Sequence, residues 1–253
     1  MSDAALARRA LGLLDLTDLA DDATAEGAQT LCRRAVSGPV PVAAICLWPR
    51  FVATARAVLG DSAVRIATVV NFPAGDTPIA PVLRETEAAL ADGADEIDLV
   101  LPWRALLAGE TTAASAMVRT VKQRCGDKLL KVILETGEYP DLDQVRLASE
   151  LAVANGADFI KTSTGKTPHA ASIPAARAML GVIAATARPV GLKPSGGIRS
   201  LADAKAYLAL ADATMGAGWA TPARFRFGAS GLYDALVAAI AGSATDTPSR
   251  GSY

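Results

Sequence analysis

Short apolar, β-branched runs alternate with longer alanine- and leucine-rich stretches along almost the whole chain, and few folds accept that pattern. The runs are "AAICLW" (43–48), "RIATVVNF" (65–72), "EIDLVLP" (96–102), "LLKVILET" (129–136), "DFIKTST" (158–164), "PVGLKPS" (189–195), "DATMGA" (212–217) and "RFRFGA" (224–229). Between them, stretches such as "PVLRETEAALADGA" and "DQVRLASELAVANGA" repeat apolar residues every three or four positions and close on a glycine, which predicts helices. Strand–helix alternation implies parallel strands joined by right-handed crossovers. Eight such units in 253 residues have the size of a (β/α)8 TIM barrel. The first 40 or so residues read as one or two extra N-terminal helices capping it. The competing architecture, an open doubly wound sheet, normally carries a glycine-rich turn after its first strand, and "CLWPRF" has none. Residues 1–242 therefore read as a single barrel domain. Residues 243–253, small and polar, read as a flexible tail.

Composition narrows the function classes. At 51% hydrophobic and 20% charged the chain can bury a large core, and its net charge of −1 offers no basic field for nucleic acid. No apolar run approaches the roughly 18–20 residues of a membrane span, and the N-terminus lacks a secretory signal, which points to the cytosol. Three scattered cysteines suggest neither a disulfide framework nor a zinc site. His169 is the single histidine, so a multi-histidine metal site is excluded and no metal or other cofactor is expected.

Side chains alternate across a strand, and the fully apolar face of each strand should pack on the helices. Ile97, Leu99 and Leu101 then face outward, and Asp98 points into the barrel with Glu96. By the same alternation Lys131 and Glu135, then Lys161 and Ser163, then Lys193 and Ser195 point inward. Barrel interiors are normally filled by Val, Ile and Leu. Three lysines and an aspartate in one interior are hard to explain as packing, although a salt-bridged polar layer would be the structural alternative.

Neighbouring strands lie about 4.8 Å apart, so Lys161 and Lys193 could hold their amines close together. Burial and a like charge both disfavour an ammonium. At an ordinary pKa of about 10.4, roughly one lysine in 2,500 is uncharged at pH 7; a pKa of about 7 would free half, a change worth about 4–5 kcal/mol. An uncharged lysine attacks carbonyl carbon to give a carbinolamine and then a Schiff base. Asp98 could carry the protons, and Lys131 could hold Asp98 ionised. The chemistry suggested is making or breaking a carbon–carbon bond through an iminium.

Three glycine-rich turns follow late strands: "TSTGK" (162–166), "PSGGIRS" (194–200) and "FGASG" (227–231). Backbone N–H groups at such turns and at helix N-termini bind phosphate, and Lys166 and Arg199 would add charge.

With these residues in view, the chain resembles the bacterial deoxyribose-phosphate aldolases. The matching stretches, in order, are "LLDLTDL", "AAICLWPRF", "RIATVVNFPAG", "GADEIDLVLPWRAL", "LLKVILETGE", "GADFIKTSTGK", "VGLKPSGGIR" and "RFGASGL". The resemblance implies a metal-free, Schiff-base (class I) aldolase. It would reversibly cleave 2-deoxy-D-ribose 5-phosphate to glyceraldehyde 3-phosphate and acetaldehyde, a step of deoxyribonucleotide and carbohydrate degradation. It implies that Lys161 forms the Schiff base, that Lys193 and Asp98 transfer protons, and that Lys131 stands beside Asp98. It further implies a phosphate site at Gly165, Lys166, Gly196, Gly197, Gly228 and Ser230, with Asp15 and Thr17 facing the active site. A terminal tyrosine, here Tyr253, would assist proton transfer. One departure stands out: many relatives carry a second serine where this chain has Gly231, which removes one hydroxyl from the phosphate site. A homodimer is compatible with this reading.

Plainer roles compete at several positions. Cys46 reads as a small buried thiol, His169 as an exposed loop residue, and Trp48 and Trp103 as rim or packing residues. Glu135 reads as a balance for the lysines. Two further functions stay open: another lysine-dependent sugar-phosphate aldolase or transaldolase-like barrel, and a non-catalytic phosphosugar-binding barrel.

Overall fold

A computed structural model describes residues 1–242. Helix α1 (Asp3–Leu11) leads into strand β1 (Leu14–Asp18), helix α2 (Ala25–Ser37) and strand β2 (Ala44–Leu47). Helix α3 (Val52–Leu59), β3 (Arg65–Val70), α4 (Ile79–Ala91) and β4 (Glu96–Val100) follow. Two helices, α5 (Trp103–Leu107) and α6 (Thr111–Cys125), precede β5 (Leu129–Ile133). The rest alternates singly: α7 (Leu142–Ala154), β6 (Phe159–Lys161), α8 (Ile173–Ala185), β7 (Gly191–Lys193), α9 (Leu201–Met215), β8 (Phe227–Ala229) and α10 (Leu232–Ile240).

The eight strands are parallel neighbours in the order β7-β6-β5-β4-β3-β2-β1-β8. Bridges from Leu192 to Phe225 and from Ser195 to Gly228 bring β7 back to β8 and close the (β/α)8 barrel. Helix starts follow from local chemistry. Ser2, Thr24, Asp141, Ser172 and Ser200 each accept a hydrogen bond from the N–H three residues on, satisfying a donor the helix itself cannot. The outward faces of the strands, including Ile97, Leu99, Leu130, Val132, Ile160 and Leu192, are fully buried under the helices.

Two expectations from the sequence need correcting. Residues 212–217 are not a strand: Asp212 to Met215 complete α9, and Gly216 ends it. Arg9 of α1 donates two 2.7 Å hydrogen bonds to Asp212, which ties the end of α9 to the first helix. The eighth strand is instead β1, in a region expected to be helical. Leu13, Leu16 and Leu19 recur at helical spacing, but Leu14 and Leu16 also alternate with Asp15 and Thr17, and pairing with both β2 and β8 selects the strand. Only α1 is therefore an extra N-terminal helix; it packs against α9 and α10.

Candidate active site

The alternation expected for β4 to β7 is observed, and strand register sets the inward residues side by side. Asp98 pairs with Lys131, and Lys161 with Lys193. Asp98 is the hub. Its Oδ1 accepts a 2.9 Å hydrogen bond from Lys131, and its Oδ2 accepts one of 2.8 Å from Lys161 and another of 2.8 Å from Lys193. The amines of Lys161 and Lys193 thus share one oxygen and lie within twice that distance of each other.

Below this hub lies a second tier. Lys193 Nζ is 2.5 Å from Asp15 Oδ2, and Lys131 Nζ is 2.5 Å from Glu96 Oε2. Arg226 lies across both carboxylates, donating to Asp15 at 2.7 Å and to Glu96 at 2.9 Å. All seven side chains are buried.

Burial opposes every charge here, and the opposite charges decide the outcome. The ammonium groups of Lys131, Lys161 and Lys193 outweigh desolvation and hold the Asp98 carboxyl well below the ordinary carboxylate range. Asp15 is likewise held low by Lys193 and Arg226 against its burial. Burial alone would push Lys193 down, but Asp15 and Asp98 together lift it well above the ordinary lysine value. The expectation from sequence, that two close amines depress each other, therefore fails for Lys193: a carboxylate oxygen stands between them. Asp15 and Asp98 favour the charged form of Lys193.

Lys161 differs from the other two lysines in two respects. It has one carboxylate partner, whereas Lys193 has two and Lys131 three. It is also 3% exposed where they are 0%, and its amine end opens into a cavity of about 280 Å³ at the C-terminal mouth of the barrel. Gly165, Lys166, Gly196, Gly197, Gly228 and Ser230 all line that cavity, together with Thr17, Asp18, Arg199 and Gly231. Gly196 and Gly197 have φ of 88° and 79°, a conformation that exposes successive N–H groups and that side chains disfavour. Helix α10 starts at the cavity wall, and no side chain caps its first turn. The N-terminus of α9 is already satisfied, because Ser200 and Asp203 form a capping box. Of the helix starts after the last two glycine turns, only that of α10 has side-chain-free N–H groups to offer an anion. Lys166 spans the mouth to Asp21 at 2.7 Å.

Such a site can hold a phosphorylated small molecule with its far end over one lysine, inside a closed proton network. The sequence matches the model of the DeoC/LacD family aldolases over residues 9–233. This chain belongs to that family.

Relatives within and around the DeoC/LacD aldolases agree. A curated protein from Agrobacterium fabrum, named deoxyribose-phosphate aldolase, is 53% identical over 92% of this chain and 90% of its own length. A crystal structure of deoxyribose phosphate aldolase from Aeropyrum pernix, described as tetrameric, superposes with a TM-score of 0.73 at 26% identity, over 94% of this chain and 92% of that one. A candidate deoxyribose-phosphate aldolase from Toxoplasma gondii gives a TM-score of 0.87 at 25% identity, over 95% and 98% of the two chains.

Some residues singled out from sequence stand elsewhere in this family member, and others, Cys46 and His169 among them, stand as expected. Asp15 lies beneath the cavity rather than on its wall, as the anion of Lys193. Glu135 forms no ion pair with the lysines, although it feels the charge of Lys161. It accepts the Thr164 N–H at 3.1 Å, and burial pushes its carboxyl up. Trp48 donates to the Ala20 carbonyl at 2.9 Å, and Trp103 is buried against Arg104; neither lines the cavity. Cys46 is a fully buried thiol, pushed up by desolvation, and His169 is exposed. Tyr253 lies outside the described residues. Among the described residues no group of three or more His, Cys, Asp or Glu is arranged to hold a metal ion. Sequence reasoning gave no role to Glu96 or Arg226. The signal was there: Arg226 stands between Phe225 and Phe227 in the segment entering β8, and a buried arginine requires carboxylates.

Proposed function

We propose that residues 1–242 form one catalytic domain, a class I aldolase that reversibly cleaves 2-deoxy-D-ribose 5-phosphate to D-glyceraldehyde 3-phosphate and acetaldehyde. The observation that carries this reading is that Lys161, alone among three buried lysines, faces the cavity while sharing Asp98 Oδ2 with Lys193.

The seven-residue cluster holds four cationic side chains and three carboxylates, so losing one proton leaves it balanced. Lys161 is the amine with the fewest anions to hold that proton. Its lone pair attacks the C1 aldehyde of the open-chain sugar. The carbinolamine loses its hydroxyl as water, with a proton delivered from the Lys193–Asp98 side, to give the protonated Schiff base. The iminium then draws in the electrons of the C2–C3 bond as the C3 hydroxyl loses its proton, which releases glyceraldehyde 3-phosphate and leaves an enamine. Protonation at C2 and hydrolysis return acetaldehyde and free Lys161. At the far end the substrate phosphate meets the N–H groups of Gly196, Gly197 and the first turn of α10, with Lys166, Gly165, Gly228 and Ser230 around it. With Gly231 in place of a serine, that end relies on backbone donors and Lys166. Thr17 lies on the wall near the sugar.

Borohydride reduction in the presence of acetaldehyde tests the reading. Mass spectrometry should place a two-carbon adduct on Lys161, and Lys161→Ala should abolish both adduct and turnover; an unmodified Lys161 refutes it. Deleting Tyr253 and following isotope exchange into acetaldehyde tests the proton role given to that residue. We place the protein in the cytosol: no described helix is long and apolar enough to cross a membrane, and three free, buried cysteines suit a reducing compartment. A homodimer is compatible with this reading, and light scattering is the check.

A further inference from the structure

Of the seven charged groups in the barrel only Lys161 lines the cavity, and the reaction just described gives no role to Glu96 or Arg226. Glu96 and Arg226 lie in the lower tier, 1% and 4% exposed, with no path to substrate. Their contacts nonetheless run straight to the chemistry. Arg226 grips Asp15 at 2.7 Å, and Asp15 holds Lys193 at 2.5 Å. Glu96 holds Lys131 at 2.5 Å, and Lys131 donates to Asp98, the partner of Lys161. Asp98 is thus shared between lysines whose other anions are held from below.

We propose that Glu96 and Arg226 are positioning residues that set the charge of the buried cluster, and so the pH at which Lys161 can act as a nucleophile. The assignment rests on the aldolase reading above. The groups facing Lys161 and Lys193 fix the count. Strand β1 supplies Asp15, β2 the neutral Cys46, β4 Glu96 and Asp98, β5 Lys131, and the segment entering β8 Arg226; β3 contributes only Ala67 and Val69 to the interior. Glu135, beyond β5, accepts the Thr164 N–H and also feels the charge of Lys161; it lies outside the seven-group cluster and is the same in every variant below. Cations exceed anions by one, the surplus that a single departing proton removes.

The two residues push in opposite directions. Glu96→Gln raises the surplus to two and leaves Lys131 leaning mainly on Asp98, with Asp15 farther off at 3.6 Å, which weakens the hold of Asp98 on Lys161. Loss of the proton then comes at lower pH. Arg226→Met cuts the surplus to zero, so an uncharged Lys161 would leave the cluster negative, and loss of the proton comes at higher pH. The double variant has three cations and two anions and so regains a surplus of one. A unit charge buried a few ångströms away moves such a limb by about one pH unit.

The test is borohydride trapping with acetaldehyde, quantified on Lys161 across pH 5 to 9, with the rate of sugar-phosphate cleavage measured alongside. The acid limb should move down by about one unit in Glu96→Gln, up by about one unit in Arg226→Met, and back to the wild-type position in the double variant. Arg226→Lys, which keeps the charge and alters the geometry, should leave the limb in place even where it lowers the rate. If Arg226→Met does not fold, Glu96→Gln and Arg226→Lys still separate charge from shape. An adduct whose pH dependence is the same in the wild type and every folded variant overturns the assignment. So does a double variant that departs further from wild type than either single one. No adduct on wild-type Lys161 at any pH overturns the aldolase reading, and the assignment with it.

Discussion

Replacing Asp98 by asparagine keeps the shape of the hub and removes its charge. Three ammonium groups donate to this carboxylate, at 2.9, 2.8 and 2.8 Å. An asparagine offers one oxygen and turns an N–H2 group toward cations. Removing one partner of a buried ion pair costs about 3–5 kcal/mol, because the charge left behind stays out of water. An independent limit comes from the route of escape. One ammonium can shed its proton, and holding a lysine uncharged at pH 7 against an ordinary pKa of about 10.4 costs about 4–5 kcal/mol. The two figures converge on a loss of about 3–5 kcal/mol at pH 7. The escape route also fixes the sign of the pH dependence. The folded variant has released a proton that its unfolded chain keeps, so its stability rises with pH relative to wild type, by about 1.4 kcal/mol per unit. Urea unfolding followed by tryptophan fluorescence at pH 7, 8 and 9 measures both quantities. A deficit below about 1 kcal/mol, or one that does not narrow as pH rises, refutes the reasoning.

Two further outcomes follow from packing. A Cβ on Gly228 would lie 2.6 Å from Ser195 Cβ and 3.0 Å from Lys193 Cε, so Gly228→Ala forces β8 away from β7 and shifts the Lys193 stem. We expect a loss of about 1–3 kcal/mol in thermal or urea unfolding, as for other overpacked cores, and at least a tenfold fall in kcat. Wild-type stability in Gly228→Ala would show that the closing seam has slack. Cys32, Cys46 and Cys125 are buried free thiols, and burial pushes Cys32 and Cys125 up to about 11. Ellman's reagent at pH 8 should find almost no thiol in the folded protein and three on unfolding; rapid labelling of the native state would contradict the burial.

Much of this architecture was legible because a barrel strand carries its own alternation. The inward placement of Asp98, Lys131, Lys161 and Lys193 needed only a two-residue period and the expectation that Ile, Leu and Val seek the helices. Strand β1 was not legible because its leucines satisfy helical and strand spacing at once, and only pairing with β2 and β8 decides between them. The end of α9 was misread because its short run through Thr214 and Met215 closes on a glycine as a strand would, whereas Arg9, some two hundred positions away in sequence, ties it to α1. The same limit hid the lower tier. Alternation placed Glu96 inside the barrel, but no local rule shows that Arg226 bridges it to Asp15, since those contacts reach from the start of the last strand to the fourth and the first. The direction of the shift at Lys193 was missed for a related reason: spacing brings two amines together, yet the carboxylate between them comes from a third strand.

Lys131 and Lys193 have no surface in contact with water, and Lys161 meets it only at the floor of the cavity. A molecule seated on that floor therefore works as a stopper. Under the reaction proposed above, a hydrogen ion lifted from one of its own atoms while it stays would pass among Lys161, Asp98 and Lys193 with no bulk pool to dilute it. Isotope removed from the substrate in one step should return to it in the next, and washout of label should track how often the stopper leaves.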